Sequence, residues 1–290
     1  MTVGIGVICD NGNAIVMAAD RLCTVGEASL VSDGSVRKLV QLAPQIMLTV
    51  TGTLQDGEYA SERLRHVSDL LSLQSVHQVA RRLQRACAHI RERQIEDRII
   101  RPHLGISFRQ FSNDCLNKAT TPVISDVFAK ISAHKFVTEL LVAGMDDSGP
   151  HLYLVGANGI NSYEGLGYMA IGIGATLATV SLASYKQGCH SWTIADAIYR
   201  VYAAKRVSQS TNLVGEHTDM MLLLKGKGPE YLSPELVDSL GRIYASKSPP
   251  GLTPDELAQI SGGLPDVETP ERQPAPIKTD QRPYAGAAPA

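Results

Sequence analysis

The first nineteen residues constrain this chain more than any other stretch. Residues 2–9 (TVGIGVIC) carry no charge, Asp10-Asn11-Gly12-Asn13 is a strong turn signal, and residues 14–19 (AIVMAA) run back to a stop at Asp20. That pattern predicts a hairpin of two buried strands beginning at the second residue. Chain ends usually fray, because ordering backbone costs entropy. A hairpin that enters a core at once therefore needs a reason to hold its first residues still.

The rest of the chain repeats the theme. Residues 37–42 (RKLVQL) and 46–51 (IMLTVT) read as a second strand pair that Gly52 ends. A helix is expected over about 54–72. Ser75-Val76-His77-Gln78 is a capping-box pattern, opening a second helix with Val79, Leu83, Cys87 and Ile90 on one face. Arg91–Arg101 is dense in mixed charge and reads as a solvated helix face that Pro102 interrupts. Residues 103–134 are the least legible part, with a short helix near 122–132. Strands return at 136–143, 151–155, 161–165 and 168–173. A helix of small and apolar residues follows over 175–187, with Gly188 placed to cap it, and Thr193 caps another over 194–208. Residues 219–225 (DMMLLLK) are a last strand. Strands, helix pair, strands, helix pair, strand is an α+β order: antiparallel sheets with helix pairs outside, in four αββα layers, and no βαβ alternation.

The domain limits follow. Residues 2–226 form the main domain, with an insertion at about 100–134. Ser233-Pro234-Glu235 and Thr253-Pro254-Asp255-Glu256 predict two short helices in an extension over 227–261. Residues 262–290 hold six prolines and little to bury, which predicts a disordered tail.

Composition excludes several classes. The formal net charge is −2 over 290 residues, so no electrostatic footprint for nucleic acid or an anionic membrane exists. No apolar run approaches the ~20 residues that cross a bilayer. No secretory signal opens the chain, which predicts a cytoplasmic protein. The 5 cysteines form no CxxC pair and the 8 histidines no metal-binding pair, so free thiols, no metal and no cofactor are expected. Gly165-Leu-Gly167-Tyr-Met-Ala170 matches a dinucleotide-binding pattern but leads into a strand, so no helix end faces a pyrophosphate. Trp192 and the basic run Arg81–Arg85 read as packing and as a solvent-facing helix surface, the latter alternatively a contact with a neighbouring subunit.

A candidate chemistry lies at the start. A threonine hydroxyl is a weak nucleophile without a base, and a terminal threonine carries its own, an α-amine of pKa near ~8. Removal of Met1 would expose that amine on Thr2. Val16-Met17-Ala18-Ala19-Asp20-Arg21-Leu22-Cys23-Thr24, Arg37-Lys38-Leu39, Thr49-Val50-Thr51-Gly52-Thr53, and Leu141–Asp146 with Pro150–Tyr153 occur in the order and spacing of one family. Over roughly residues 2–225 the chain resembles proteasome beta-type subunits and the bacterial HslV peptidase, and its departures suggest a divergent bacterial branch akin to the Anbu or HslV-like groups.

That resemblance implies an N-terminal-nucleophile hydrolase. Thr2 would be the nucleophile. Lys38 would lie near its amine and lower its pKa, and Asp20 would orient Lys38. The Gly52 amide would meet the oxyanion, Thr24 would hold an extended peptide as an added strand, and Ser210 would support the N-terminus. It also implies a peptide or unfolded-protein substrate and assembly with copies of itself into a ring or helical oligomer, and leaves open an unfolding ATPase partner. Each residue has a plainer role: Asp20 as a strand-end cap, Lys38 as a surface lysine, Gly52 as a backbone hinge. Two positions depart from the family. Ile173 stands where active members often have serine, and Val207 where they tend to have aspartate. Three outcomes stay open: a threonine peptidase, a catalytically weak structural or regulatory relative, and an amidohydrolase acting on small amides.

Overall fold

A computed structural model describes residues 2–25, 30–32, 36–65, 75–114, 122–185 and 188–247, with backbone alone for 24–25, 30–32 and 63–65. Along the chain the first strands are β1 (Val3–Cys9), β2 (Ala14–Asp20), β3 (Cys23–Val25), β4 (Leu30–Ser32), β5 (Leu39–Ala43) and β6 (Ile46–Thr51). Helices α1 (Leu54–Arg65), α2 (Val76–Ile95), α3 (Arg101–Leu104), α4 (Phe108–Asp114) and α5 (Pro122–Ala133) follow. Then come β7 (Glu139–Asp146), β8 (Gly149–Gly156), β9 (Gly159–Ser162), β10 (Tyr168–Gly172), α6 (Ala175–Ala183), α7 (Ile194–Ser208), β11 (Thr218–Leu224), β12 (Glu230–Tyr231) and α8 (Pro234–Lys247).

Two five-stranded antiparallel sheets result, ordered β10-β1-β2-β11-β12 and β5-β6-β7-β8-β9, and their apolar faces meet. In β1 the odd residues Val3, Ile5, Val7 and Cys9 pack with α6 and α7, while Ile8 joins Leu141, Met145 and Leu152 of the other sheet. Both faces are covered, so all seven residues of β1 are buried and the strand reads as one apolar run. Gly4 and Gly6 let the sheets close: a Cβ on Gly6 would stand 2.8 Å from Leu152, and one on Gly4 2.7 Å from Thr49. On the far side α2 lays Val79, Leu83, Cys87 and Ile90 against β6, β7 and β8. The result is an α+β sandwich of two sheets flanked by helices.

The opening turn explains its own sequence. Asp10, Asn11 and Gly12 all adopt left-handed backbone (φ 52°, 53° and 85°), which Asp, Asn and Gly tolerate best. The Asn13 side-chain amide closes the turn on the Asp10 carbonyl at 2.8 Å.

Some expected boundaries shift. Pro102 does not interrupt the helix after α2. A π-helical turn, Glu96–Ile100, carries the chain on into α3, where Pro102 occupies the first turn and its missing N–H costs little. Within 95–133 the described residues form this wide turn and the helices α3, α4 and α5, with a small core of their own, Ile95, Ile99, Ile100, Phe111, Ile124 and Val127. Gly188 does not cap α6: the helix stops at Ala183, and Gly188 has extended backbone (φ −60°, ψ 139°). β9 ends at Ser162, short of residue 165. The described fold belongs to one compact unit, Met1–Ser246; of the second, Lys247–Ala290, only Lys247 is described. The expected helix at Thr253, the tail 262–290 and the far end of the 54–72 helix lie outside the described residues.

Candidate active site

The hairpin puts Thr2 at the entry of β1 and Asp20 at the end of the partner strand, since Gly4 pairs with Ala19. Lys38 immediately precedes β5, on the facing sheet. The three side chains converge in the interior, with Thr2 3%, Asp20 0% and Lys38 5% exposed. The Lys38 ammonium donates to Thr2 Oγ1 and to the Leu22 carbonyl, and lies 3.3 Å from Asp20 Oδ1. An ammonium has three donors, and these three acceptors match them.

Asp20 does more than balance that charge. Its Oδ1 also accepts the Val3 amide at 3.0 Å, so the carboxylate holds the backbone next to Thr2. Its Oδ2 accepts the amides of Leu22 (3.1 Å) and Gly215 (3.0 Å). A buried ion pair is tolerable only when its remaining lone pairs are hydrogen-bonded, and here they are. Next to Asp20, Arg21 clamps β11 through Asp219, with Nε 2.9 Å from Oδ2.

The backbone of Thr2 is held from the other side. Gly172 pairs with Val3 and has φ +86°; a Cβ there would run into the Thr2 carbonyl. The Gly174 amide donates to that carbonyl at 3.4 Å. A Cβ on Gly172 would also stand 3.0 Å from Thr51, which brings the end of β6, and Gly52 directly after it, beside Thr2. Gly52 is exposed with φ +89°, and any side chain there would strike the Val137 carbonyl and Thr138. A pocket of about 200 Å³ opens beside Lys38, lined by Val40, Leu48, Val50, Leu54 and Gly57, with Glu58 and Glu62 on its exposed side. A larger cavity, about 680 Å³, lies elsewhere, between β11, β12 and α8.

Of the other expected residues, Ser210 makes no described contact with Thr2, Asp20 or Lys38. Ser210 is exposed, and its hydroxyl donates to the Val207 carbonyl in the turn after α7. The buried serine here is Ser208, which donates to the Gly174 carbonyl at 3.1 Å and so braces the loop behind Thr2. Thr24 lies in β3 opposite Val31, and its side chain is outside the described residues. Ile173 sits between the two glycines with half its surface exposed, and Val207 lies in the last turn of α7.

Sequence reasoning missed Gly215 and Lys205. Gly215 reaches Asp20 across 195 residues, for which no local signal exists. Lys205 did leave one: it falls on the buried stripe Ile198, Val201, Tyr202, Lys205 and Ser208 of α7.

Other nucleophiles are poorly placed. Burial pushes the Cys9 and Cys87 thiols up to about 12 and Cys189 to about 11, which keeps them protonated. Ser148, His151 and Glu164 do line up as a hydroxyl–imidazole–carboxylate series, at 2.9 and 2.7 Å. However, Asp146 also meets His151 Nε2 at 2.9 Å and accepts from Ser148. Burial works against charge on His151, but hydrogen bonds to Glu164 and Asp146 outweigh it and raise its pKa. An imidazole whose two nitrogens each face a carboxylate, beside a hydroxyl that donates to Asp146, is poorly placed as a base for Ser148. No group of metal ligands occurs among the described residues, and no described helix is long and apolar enough to cross a membrane.

A first strand that follows directly on a buried threonine, inside two face-to-face sheets between helices, matches the N-terminal-nucleophile type of sandwich. Comparison with known proteins agrees. The proteasome subunit family matches residues 2–99. The chain is 28% identical over 177 residues to proteasome subunit beta 2 of Staphylothermus marinus, covering 61% of this chain and 64% of that one. It is 33% identical over 72 residues to a proteasome subunit beta of Methanocella paludicola, covering 25% and 33%. A third relative, from Methanothrix thermoacetophila, is 24% identical over 188 residues, covering 64% and 71%. Over these spans the chain is similar to proteasome beta-type subunits, and it covers slightly less than two thirds, 64%, of the first of them.

Proposed function

We propose that this protein is a threonine-type peptidase whose nucleophile is Thr2, freed by removal of Met1. The observation that carries this is the contact of Lys38 with Thr2 Oγ1, with Asp20 behind it, all three side chains buried beside a pocket that opens at Lys38. In the proposed reaction the Thr2 α-amine takes the proton from Oγ1, and Oγ1 bonds to the carbonyl carbon of the scissile amide. The C–N bond then breaks, and the departing amine takes the proton held by the Thr2 α-ammonium. Water hydrolyses the resulting ester and regenerates the hydroxyl. The Lys38 cation stabilises negative charge on Oγ1, and the Gly52 amide serves the oxyanion, an interaction worth about 3 kcal/mol in comparable sites.

The substrate is an extended peptide or unfolded segment, with one side chain seated in the pocket beside Lys38. The relatives are named as proteasome subunits, which favours a part of a larger assembly; we infer a cytoplasmic ring or helical oligomer built with copies of this chain. A second reading has a specific motive: Ile173 presents an apolar, half-exposed side chain where a hydroxyl would help the amine. On that reading the protein keeps the fold with little catalysis, and an amidohydrolase acting on small amides is the intermediate case.

An electrophile selective for terminal threonine separates these. Wild type should be labelled and Thr2→Ala should not, with intact mass showing Met1 removed. Equal labelling of both, or Met1 retained in the native protein, overturns the assignment of Thr2. Labelling without peptide turnover favours the weak relative, and turnover of small amides alone favours the amidohydrolase.

A further inference from the structure

Lys205 lies in α7 with no exposed surface, the largest side chain so enclosed among the described residues. Its ammonium donates to the carbonyls of Gly215 and Glu216, both at 2.7 Å. The Gln209 side-chain amide, one turn further on, donates to the same two carbonyls at 2.9 and 3.1 Å. The peptide unit they grip follows an amide with one destination: Gly215 N donates to Asp20 Oδ2 at 3.0 Å. The opposite oxygen of Asp20 holds the Val3 amide and Lys38.

We propose that Lys205 is a positioning residue for the Thr2 site, acting through the Gly215–Glu216 loop on Asp20. Burying an ammonium is costly, and a methionine of similar length would fill the helix position without that cost. What a methionine lacks is the ability to hold two successive carbonyls at fixed distance. Those bonds aim the Gly215 N–H at Asp20. A carboxylate that keeps that donor stays turned so that its other oxygen faces Lys38 and the Val3 amide. Without it Asp20 gains freedom to rotate, and both the lysine and the backbone beside Thr2 lose their fixed partner. A lysine–carbonyl clamp thereby ties helix α7 to a site on the sheet below it, through a loop that touches neither substrate nor nucleophile.

The kinetic part rests on the assignment of Thr2 above, so the test has a second readout independent of catalysis. Lys205→Met is compared with wild type and Lys205→Arg in peptide hydrolysis. The expected result is a fall in kcat/KM of about 10- to 100-fold, with KM within about twofold and the acidic limb of the pH profile displaced. Lys205→Arg, which keeps the cation, recovers part of the loss. Amide hydrogen exchange at Val3 and Gly215 is followed in the same proteins and should quicken about tenfold or more in Lys205→Met. If wild type proves inactive in peptide hydrolysis, the peptidase reading fails and the exchange data still decide the clamp. If Lys205→Met does not fold, Gln209→Ala, on the partly exposed member of the clamp, should quicken the same two amides by a smaller factor. A folded Lys205→Met with unchanged exchange at Val3 and Gly215, or a Gln209→Ala with none where Lys205→Met is unfolded, overturns the proposal.

Discussion

Two clusters among the described residues place a hydroxyl, a basic side chain and a carboxylate within hydrogen-bonding distance, and they differ in what surrounds them. Around Thr2, one carboxylate faces one ammonium, and backbone amides of Val3, Leu22 and Gly215 occupy the rest of Asp20. Around Ser148, two carboxylates face one imidazole, and Asp146 spends its other oxygen on the amide of Val76 at the start of α2. In the first cluster the excess charge on the hydroxyl is positive, which favours an alkoxide. In the second it is negative, which opposes one. Three residue types in proximity are therefore not a site; the sign of the field at the oxygen decides between chemistry and a hairpin fastened to a helix.

The largest expected contrast is in activity. Thr2→Ala should lower peptide hydrolysis by at least about 10³-fold, whereas Ser148→Ala leaves it within about twofold, as measured by initial rates on the same substrate. Loss of activity in Ser148→Ala would break the comparison.

Stability gives the next contrast. Asp20→Ala strands a buried ammonium and several backbone amides, and should cost about 3–5 kcal/mol in urea unfolding. Glu164→Ala, at a cluster partly open to water, should cost about 1 kcal/mol or less. Comparable losses would mean that burial does not separate the two.

Gly172→Ala sharpens the first cluster alone. Its Cβ meets the Thr2 carbonyl, and its left-handed backbone costs an alanine about 1–2 kcal/mol. Threonine labelling should slow about tenfold or more while the unfolding midpoint falls only modestly.

The smallest effect is the pH dependence of the second cluster. The raised pKa of His151 means that its contribution is complete below about 6.5 and is lost as pH rises through the folded value. For Asp146 burial raises the pKa, but hydrogen bonds from Ser148, the Val76 amide and His151 win and lower it to about 2. Its contribution is complete above about 4 and is lost as pH falls toward 2. In thermal unfolding followed against pH, His151→Gln should flatten the decline above pH 6.5, by about 1 kcal/mol or less. An unchanged slope would show that His151 is not charged in the folded protein.

Much of this was legible beforehand because the relevant signals are local. The opening hairpin announced itself through its uncharged strands and an Asp-Asn-Gly turn whose backbone angles those residues favour. Ser75 and Thr193 marked helix starts, and each accepts the expected amide, from Gln78 and Asp196. Glycine alone was a poorer guide: Gly188 looked like a helix cap, but α6 had already ended. Pro102 looked like a break, but a wide helical turn absorbed it. Both errors come from reading one residue's preference where packing chose among conformations it allows.

By itself the sequence determined the elements and their layered order, because periodicity and turn chemistry act over a few residues, while the candidates Thr2, Asp20, Lys38 and Gly52 came from the order and spacing in which its motifs resemble one family. Only the tertiary structure decided what surrounds them. It brought in Gly215 and Lys205 from nearly two hundred residues away, chose Ser208 over Ser210 as the buried hydroxyl, and set a second hydroxyl between carboxylates where it has no base. Sheet pairing and helix packing join residues without regard to their separation along the chain, and the field at an oxygen atom depends on that company.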